Sequence, residues 1–354
     1  MNESMDTRAP VTADGRTVGV AVIGAGIMGT AHAASAVADP RARVVGVASL
    51  PLDGARELAN QCGAEEATDD YRHLLSRDDV DLVCIATPDN LHTEIAVAAA
   101  EAGKSFLVEK PLATSLADAD KIIAAVERSG VNAMTCFNHR WIPSYAAAHE
   151  EVARGGLGTP RMAYARKNDR IFVPTHMLSW APGTTPAWFL SSHDIDLVCW
   201  YMGEPAVEVY ATAVRGVLHS RGIETPDAVQ AQVRFAGGGV ATFESCWTYP
   251  DTFPTMTDSF IEVVGTAGVI HLDRKADQLE VSTADRYEYP RTSIMPTIHG
   301  RQSGALAAAV SHMVDCVITG AEPLISLASS RHVTAILDAI HHSIDAGGSV
   351  PVER

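Results

Sequence analysis

A glycine-rich turn near the start of the chain limits the possible folds more than any other feature. Residues 17–23 (TVGVAVI) form a β-rich run, the turn GAGIMG follows at once, and residues 31–38 are predicted to be helical. Between a strand and a helix, such glycines permit a tight turn and close approach of the backbone to a pyrophosphate, which the helix N-terminus then faces. The motif predicts that a dinucleotide is bound by Gly24, Gly26, Ile27, Met28 and Gly29.

Strands and helices are predicted to alternate through the first part of the chain. Short apolar runs have the composition of buried strands at residues 44–48, 82–86, 105–108 and 133–137. Such runs, separated by helices, are typical of a doubly wound parallel sheet. We therefore expect a flexible tail at residues 1–16 and an α/β Rossmann domain at residues 17–138.

The pattern changes after residue 138. Hairpin-like turns separate β-rich segments at residues 161–167, 207–214, 228–235, 240–247, 259–264 and 269–272. This spacing predicts a large, mostly antiparallel open sheet with one free face. Helices return at residues 305–319 and 327–344. Residues 139–354 are therefore predicted to form a C-terminal α+β domain for substrate binding and oligomerisation.

Composition limits the partners and the compartment. With a formal net charge of −16, the chain lacks the basic surplus that binding to nucleic acid or to an anionic membrane requires. The six cysteines form no CxxC pair and indicate free thiols in a reducing compartment, and no histidine pattern predicts a metal site. Residues 1–16 are polar, unlike a signal peptide, and no apolar stretch reaches membrane-spanning length. We expect a cytoplasmic protein.

The predicted second strand ends without the acidic residue that often binds the ribose of NAD. Ser49 follows this strand, Asp53 could reach the ribose hydroxyls, and Arg56 could meet the 2′-phosphate of NADP. The choice between the two cofactors stays open, with NAD slightly favoured. Beyond the next strand, the segment TPDN forms a turn into a helix, where His92 is either a solvated histidine or a cofactor contact.

A charged motif, Glu109-Lys110-Pro111, follows the strand at residues 105–108. The strand stops there because a proline cannot extend the hydrogen-bonded ladder. In a parallel sheet the carboxyl end of a strand opens into the ligand crevice, so Lys110 would face a bound ligand. The alternative is a simple surface ion pair between Glu109 and Lys110.

A second polar group lies on a predicted helix that covers residues 188–200. His193 and Asp196 are three residues apart and share one face of this helix. His193 is either a core histidine bonded to Asp196 or an acid/base that this carboxylate holds. The preceding segment, residues 169–186, is long for a structureless loop, and such loops are often functional.

In order along the chain, GAGIMG, TPDNLH, EKP and HDID on a helix resemble the Gfo/Idh/MocA oxidoreductases, the relatives of glucose–fructose oxidoreductase and inositol dehydrogenase. The resemblance covers nearly the whole chain. It implies a Rossmann domain and an α/β domain whose large open sheet commonly carries the interface of a homo-oligomer, here a dimer or tetramer. It also implies hydride transfer between NAD(P) and a hydroxyl-bearing carbon of a sugar, glycoside or cyclic polyol.

The resemblance also assigns site residues. Lys110 matches the family's active-site lysine and His193 its catalytic histidine, while the surroundings of the nicotinamide are matched by Pro88, Asn90, His92 and Glu109. The predicted cofactor contacts further include Ser49, Thr87, Lys110 and Asn138. Many sugar dehydrogenases of the family carry Asp four residues before the histidine. This chain has Phe189 there, and Asp194 or Asp169 is a candidate substitute.

Elementary chemistry agrees with these roles. A neutral His193 is suited to take the hydroxyl proton, and Lys110 can stabilise the developing negative charge. Candidate substrate contacts are polar or aromatic: Arg140, Lys167, Asp169, His176, Trp180 and Asp194. Two alternative functions stay open. One is a glycosidase that oxidises its substrate transiently with bound NAD, and the other is a non-catalytic, cofactor-sensing regulator, against which the retained Lys110 and His193 argue.

Overall fold

The computed structural model describes residues 15–353, so all but the last two residues of the predicted tail lie outside the described part of the chain. The chain divides into two compact units. The first contains the residues up to Glu109, with Lys121–Cys136 and Thr297–Leu327. The second contains Lys110–Asp120, Phe137–Pro296 and the residues from Ala328 onwards.

The first unit is built on alternating strands and helices. In chain order the elements up to residue 135 are β1 (Val18–Ile23), α1 (Ile27–Ala38), β2 (Ala42–Ala48), α2 (Leu52–Cys62), β3 (Glu66–Thr68), α3 (Tyr71–Leu75), β4 (Leu82–Ile85), α4 (His92–Glu101), β5 (Ser105–Val108), α5 (Leu116–Ser129) and β6 (Ala133–Thr135). The strands pair in parallel in the order β3-β2-β1-β4-β5-β6. This is the strand order of a Rossmann fold, and the predicted doubly wound sheet is confirmed.

Burial explains why these short strands read as continuous apolar runs. Every residue of β1 and of β4 is buried, which requires that both faces of the sheet be covered. Because β1, β4 and β5 are parallel neighbours, their carboxyl ends lie at the same edge of the sheet. The glycine turn, the TPDN turn and the EKP motif follow these strands at that edge.

The second unit is built on a seven-stranded sheet. The remaining elements of the chain are α6 (Pro143–Ala153), β7 (Pro160–Arg170), α7 (Ser192–Met202), β8 (Ala206–Val214), β9 (Ala228–Phe235), β10 (Val240–Tyr249), β11 (Thr257–Gly265), β12 (Val269–Asp273), β13 (Val281–Ser282), β14 (Tyr287–Glu288), β15 (Thr297–Ile298), β16 (Arg301–Gln302), α8 (Gly304–Thr319), α9 (Leu327–Ala346) and β17 (Val350–Pro351). The large sheet has the order β12-β11-β7-β10-β9-β8-β17. Its neighbours are antiparallel apart from the parallel pair of β7 and β10, so the predicted mostly antiparallel sheet is confirmed.

The first unit also includes residues 297–327, whereas the sequence suggested two contiguous domains that divide near residue 138. These residues, which include α8, belong to the first unit, where α8 packs against α1. Two hydrogen bonds hold the segment there: Arg301 donates to the carbonyl of Ala38 at 2.7 Å, and Asn132 donates to the carbonyl of Cys316 at 3.1 Å.

The segment at residues 169–186 is less irregular than predicted. Strand β7 continues to Arg170, and a π-helical turn at Val173–Met177 and a 3-10 turn at Ala181–Gly183 follow. The segment is thus a connection with two short helical turns, and only its first residues belong to the sheet.

None of the helices within residues 15–353 combines the length and apolar composition that crossing a bilayer requires.

Candidate active site

His193 lies at the start of α7, in the second unit. A π-helical turn at Ala187–Ser191 leads directly into this helix, and His193 is its second residue. The imidazole stacks on that of His139, with ring centroids 3.9 Å apart and planes 9° apart. The edge of Phe137 contacts it from another side, with centroids 6.1 Å apart. Parallel stacking of two imidazoles is least costly when both are neutral.

The surroundings of His193 keep it unprotonated. Burial lowers its pKa well below the ordinary value, and the positive charges of Lys167, Lys110 and Arg274 lower it further. Its Nδ1 atom is buried and has no hydrogen-bond partner among the described residues. The side chain as a whole is partly exposed. A neutral imidazole with a ring nitrogen to spare is equipped to accept a proton.

Asp196 does not hold His193. Arg140 donates to both of its carboxylate oxygens, from Nε at 2.8 Å and from Nη2 at 2.6 Å. The Arg140 guanidinium also lies over the ring of Trp200, 4.9 Å from its centroid. The predicted His193–Asp196 pair is therefore corrected to a buried Arg140–Asp196 pair.

Lys167 and Asp194 form a second buried ion pair, next to His193. The Nζ atom of Lys167 donates to Asp194 Oδ1 at 2.6 Å and lies 3.4 Å from His139 Nδ1. Burial lowers the pKa of Lys167 to about 8, although the charge of Asp194 opposes this change. Burial also raises the pKa of Asp194, against the effect of Lys167. These two predicted substrate contacts are thus brought together beside His193.

Lys110 lies against Phe189, the residue that replaces the expected aspartate. Its Nζ atom donates to the Phe189 carbonyl at 2.7 Å and lies 4.4 Å from the centroid of the phenyl ring. The ring also packs near Trp180 and Trp247, with centroids 6.0 and 6.3 Å away. Position 189 therefore offers Lys110 a carbonyl and an aromatic face in place of a carboxylate.

The remaining substrate candidates have different surroundings. Asp169 is buried and accepts a hydrogen bond from Thr257, and burial raises the pKa of its carboxyl. His176 is exposed, stacks on Phe172 with centroids 5.4 Å apart and bonds to Thr175. The structure thus places Asp169 in the interior and His176 on the surface.

The glycine turn of the first unit fits a dinucleotide. Gly24 has a φ of +104°, and a Cβ at Gly29 would lie 1.8 Å from the carbonyl oxygen of Gly24. Gly26 precedes α1 without a side-chain cap, and a Cβ there would meet no heavy atom within 4 Å. Of the other turn residues, Ile27 is 60% exposed and Met28 is partly buried. The start of α1 is therefore open to a phosphate group.

The residues expected to bind the ribose lie at the end of β2. The Ser49 hydroxyl accepts a hydrogen bond from the Ala25 amide at 3.3 Å. Asp53 and Arg56, the alternative ligands for NAD and NADP, pair with each other at 3.3 Å, and the Asp53 side chain is 90% exposed. The two alternatives thus neutralise each other in this structure.

His92 and Glu109 are anchored from within the first unit. His92 is fully buried, with its Nε2 3.1 Å from the carbonyl of Thr87, so the interpretation as a solvated histidine is wrong. Glu109 is buried and lies 2.8 Å from Nε2 of His32. Burial opposes a charge on His32, but hydrogen bonds with Cys136, Cys84 and Glu109 raise its pKa well above the ordinary value. Potential ligand atoms of His32, Glu109 and Cys136 lie within 4.8 Å of one another, which the sequence did not predict.

The other predicted cofactor residues lie at turns. Pro88 precedes a 3-10 turn at Asp89–Leu91 in which Asn90 is exposed. In the second unit, Asn138 begins the 3-10 turn Asn138–Trp141, and its buried Oδ1 has no hydrogen-bond partner within residues 15–353.

Sequence reasoning missed His139 and Arg274 as neighbours of His193. His139 is adjacent to the predicted Asn138, and its place directly after the last strand of the parallel sheet was the available signal. Arg274 follows an antiparallel strand and carries no motif. Its nearness to His193 depends on the pairing of β12 with β11 and of β11 with β7.

Two family models match the chain. One, described as the oxidoreductase family with an NAD-binding Rossmann fold, matches residues 18–137, and the GFO/IDH/MocA C-terminal domain matches residues 145–271.

Similar proteins agree with these matches. Levoglucosan dehydrogenase of Pseudarthrobacter phenanthrenivorans is 30% identical over 76% of this chain and 77% of its own length. The scyllo-inositol 2-dehydrogenase (NAD(+)) of Bacillus subtilis is 29% identical over 86% of this chain and 88% of its own. The crystal structure of myo-inositol 2-dehydrogenase from Lactobacillus plantarum shares the fold, with a TM-score of 0.83, 21% identity and coverage of 96% of this chain and 100% of that one. The chain therefore belongs to the Gfo/Idh/MocA family of oxidoreductases and is an NAD(P)-dependent dehydrogenase.

Proposed function

We propose that this dehydrogenase transfers hydride between NAD(P) and a hydroxyl-bearing carbon of a sugar, glycoside or cyclic polyol. The observation that carries the proposal is the neutral, stacked His193, whose Nδ1 has no hydrogen-bond partner within residues 15–353 and which lies near the cations of Lys110 and Lys167. The relatives whose names include levoglucosan and scyllo-inositol support this substrate class. Such names do not favour the glycosidase or the regulator.

In the proposed reaction, Lys110 and His193 are the catalytic residues. His193 accepts the hydroxyl proton on a ring nitrogen as the C–H bond breaks, because its surroundings keep it neutral at pH 7. Lys110 donates a hydrogen bond to the same substrate oxygen, which stabilises the negative charge that develops there. Trp180 is a further proposed contact of the polyol, whereas Asp169, Lys167 and Asp194 lie in the interior.

The residues of the glycine turn would hold the cofactor, which accepts or donates the hydride. Gly24, Gly26 and Gly29 shape the turn, and the open start of α1 would face the pyrophosphate. The proposal also includes the other predicted cofactor contacts: Ser49, Thr87, Pro88, Asn90, His92, Glu109, Lys110 and Asn138. The sequence slightly favours NAD over NADP, and the exposed pair of Asp53 and Arg56 gives neither cofactor an advantage.

The test of the substrate class is a spectrophotometric panel. Protein is mixed with NAD or NADP and with neutral sugars, anhydrosugars, inositols and glycosides, and the NADH or NADPH band is followed. Growth of the band with a sugar or polyol is expected. Release of sugar from an aryl glycoside without net reduced cofactor would replace the proposal with the glycosidase.

Substitution tests the two catalytic roles. His193→Asn should lower kcat/KM by roughly 10²–10⁴-fold, the usual contribution of a general base. Lys110→Met should lower it by about 10²–10³-fold, because a donor to the developing oxyanion is lost. His219→Asn is the control, since that side chain is 70% exposed and pairs with Glu224. Unchanged kcat/KM in either catalytic variant would refute the assigned chemistry.

We also propose that the protein acts in the cytoplasm as a homo-oligomer, a dimer or tetramer joined through the large sheet of the second unit. Its six cysteines, all within the described residues, are free thiols, which supports a reducing compartment.

A further inference from the structure

A buried polar row runs across the large sheet at Lys167. The register places Ser245 of β10 and Ser259 of β11 directly opposite Lys167 on its two neighbouring strands. Directly paired residues point to the same face of a sheet, so the three side chains stand side by side. Both serines are fully buried, and Lys167 is 4% exposed. A lysine is rarely buried this deeply unless it is paired with an opposite charge, which Asp194 supplies here.

Several atoms in this region lack hydrogen-bond partners. In the part of the chain that the structure describes, the unpaired buried atoms include Ser245 Oγ, Ser259 Oγ, Asp194 Oδ2 and His193 Nδ1. The first two lie beside Lys167 in the sheet, and the last two belong to neighbouring residues of α7. Native proteins leave few buried polar atoms unsatisfied, so these four atoms require an explanation, and a role in the site provides one.

We propose that Lys167, which is bonded to Asp194 and lies against the His139 ring that stacks on His193, is a positioning residue for the proton acceptor His193, at a site where Phe189 replaces the expected carboxylate. The inference rests on the proposed function, because a neutral His193 matters only if it accepts a substrate proton. Lys167 acts through its charge and through His139, whose ring lies between the two groups in the chain of contacts. Asp194 acts one step further back, because its charge keeps Lys167 protonated despite burial.

Titratable and charged groups surround His193 and the residues that contact it. They are Lys110 after β5, His139 and Arg140 of the 3-10 turn, Lys167 and Asp169 of β7, Asp194 and Asp196 of α7, Arg274 after β12 and Arg291. Asp196 is occupied by Arg140, and Asp169 by Thr257. Lys167 has the largest charge effect on His193, ahead of Lys110 and Arg274.

The test is the titration of His193 itself, which needs no turnover. Protein labelled with ¹³C at histidine Cε1 is titrated by NMR, and His193→Asn identifies the resonance among the fourteen histidines. Lys167→Met should raise the pKa of His193 by about one unit or more, since one nearby cation is removed. Asp194→Asn should also raise it, because Lys167 then loses its proton in the neutral range.

The pattern among variants separates this role from a structural one. The double variant K167M/D194N should shift His193 no further than K167M alone, and Lys167→Arg should leave the low pKa in place. Arg166→Met is the matched control, since Arg166 is adjacent in β7 but points to the opposite face and pairs with Asp258 at 2.8 Å. A folded K167M or D194N with an unshifted His193 would overturn the inference, as would a downward shift in D194N.

Failure of this inference can be distinguished from failure of the proposed function. A protein that oxidises no sugar would contradict that function whatever the NMR titration shows. An active protein in which Lys167→Met leaves the pKa of His193 unchanged would contradict only the inference. Where activity is present, the acidic limb of kcat/KM against pH should move upwards in K167M with the NMR pKa.

Discussion

At the scale of single residues, two aspartates of α7 have opposite uses although they are two positions apart. Asp194 and Asp196 are each 1% exposed and each pair with one cation, Lys167 or Arg140. The Lys167 pair borders His193 and leaves one carboxylate oxygen without a partner among the residues that the structure describes, whereas Arg140 donates to both oxygens of Asp196. The Lys167–Asp194 pair can therefore accept a further hydrogen bond. We call the Arg140–Asp196 pair the closed pair, because both carboxylate oxygens are bonded, and we expect its role to be structural.

This difference gives a stability prediction for the closed pair. Arg140→Met should lower the free energy of unfolding by about 3–5 kcal/mol, because it leaves a buried carboxylate without its partner. The double variant R140M/D196L should recover most of that loss, since replacing both ions by apolar groups is often neutral. Urea unfolding followed by circular dichroism measures both. A single variant as stable as the wild type would contradict a structural role for the pair.

Single-residue partners were the least predictable part of the site. Arg140 and Asp196 are 56 residues apart, and Lys110 and Phe189 are 79 apart. No periodicity or spacing links such positions, so a carboxylate three residues from His193 on the same helix looked like its natural partner. By contrast, Lys110 and His193 could be singled out because each stands in a short motif.

At the scale of elements, two glycines of the turn before α1 have different roles: Gly29 is needed for folding, and Gly26 for binding of the cofactor. Gly29→Ala should lower the free energy of unfolding by about 3 kcal/mol, because its Cβ would lie 1.8 Å from a backbone carbonyl oxygen. Gly26→Ala has open space and should change stability by less than about 1 kcal/mol. It should nevertheless weaken binding of reduced cofactor by roughly tenfold, or about 1.4 kcal/mol, because its methyl group would stand where the pyrophosphate approaches.

Equilibrium unfolding and a fluorescence titration with NADH measure these two effects separately. If G26A bound NADH as tightly as the wild type, the glycine turn would not be the phosphate site.

Element boundaries were predictable where one face of a strand is buried. Strand β9 alternates buried and exposed residues, and the predicted segment 228–235 is the observed one. The π-helical turn before α7 was not predictable, because apolar residues at helical spacing do not distinguish i→i+4 from i→i+5 hydrogen bonds. That turn decides where α7 begins and hence where His193 stands.

At the scale of the whole molecule, the chain visits its first unit more than once. The segment that contains α8 returns to pack against α1 before the chain adds the last strand, β17, to the large sheet. The sequence identified α8 as a helix but gave no sign of this return, because an apolar helix face fits either unit's core. The kind of sheet in each unit and the family were predictable, since strand–turn–helix motifs and hairpin-like turns are local and ordered along the chain.

The large sheet leads to the last prediction, which concerns assembly. Phe260 of β11 lies on the face opposite Lys167, partly exposed, with Arg166 over its ring at 5.1 Å and the ring of Tyr164 6.4 Å away. A stable dimer buries about 800 Å² on each partner, which a sheet face of this kind can supply. Phe260→Asp should therefore convert the oligomer to monomers without unfolding them, because a carboxylate would be buried in the interface.

Leu324→Asp is the control, since Leu324 is 53% exposed and lies in the first unit, outside the sheet. Sedimentation velocity should show the wild type and L324D as dimers or tetramers and F260D as a monomer. A monomeric wild type would refute the proposed assembly, and an F260D protein that stays oligomeric would place the interface on another surface.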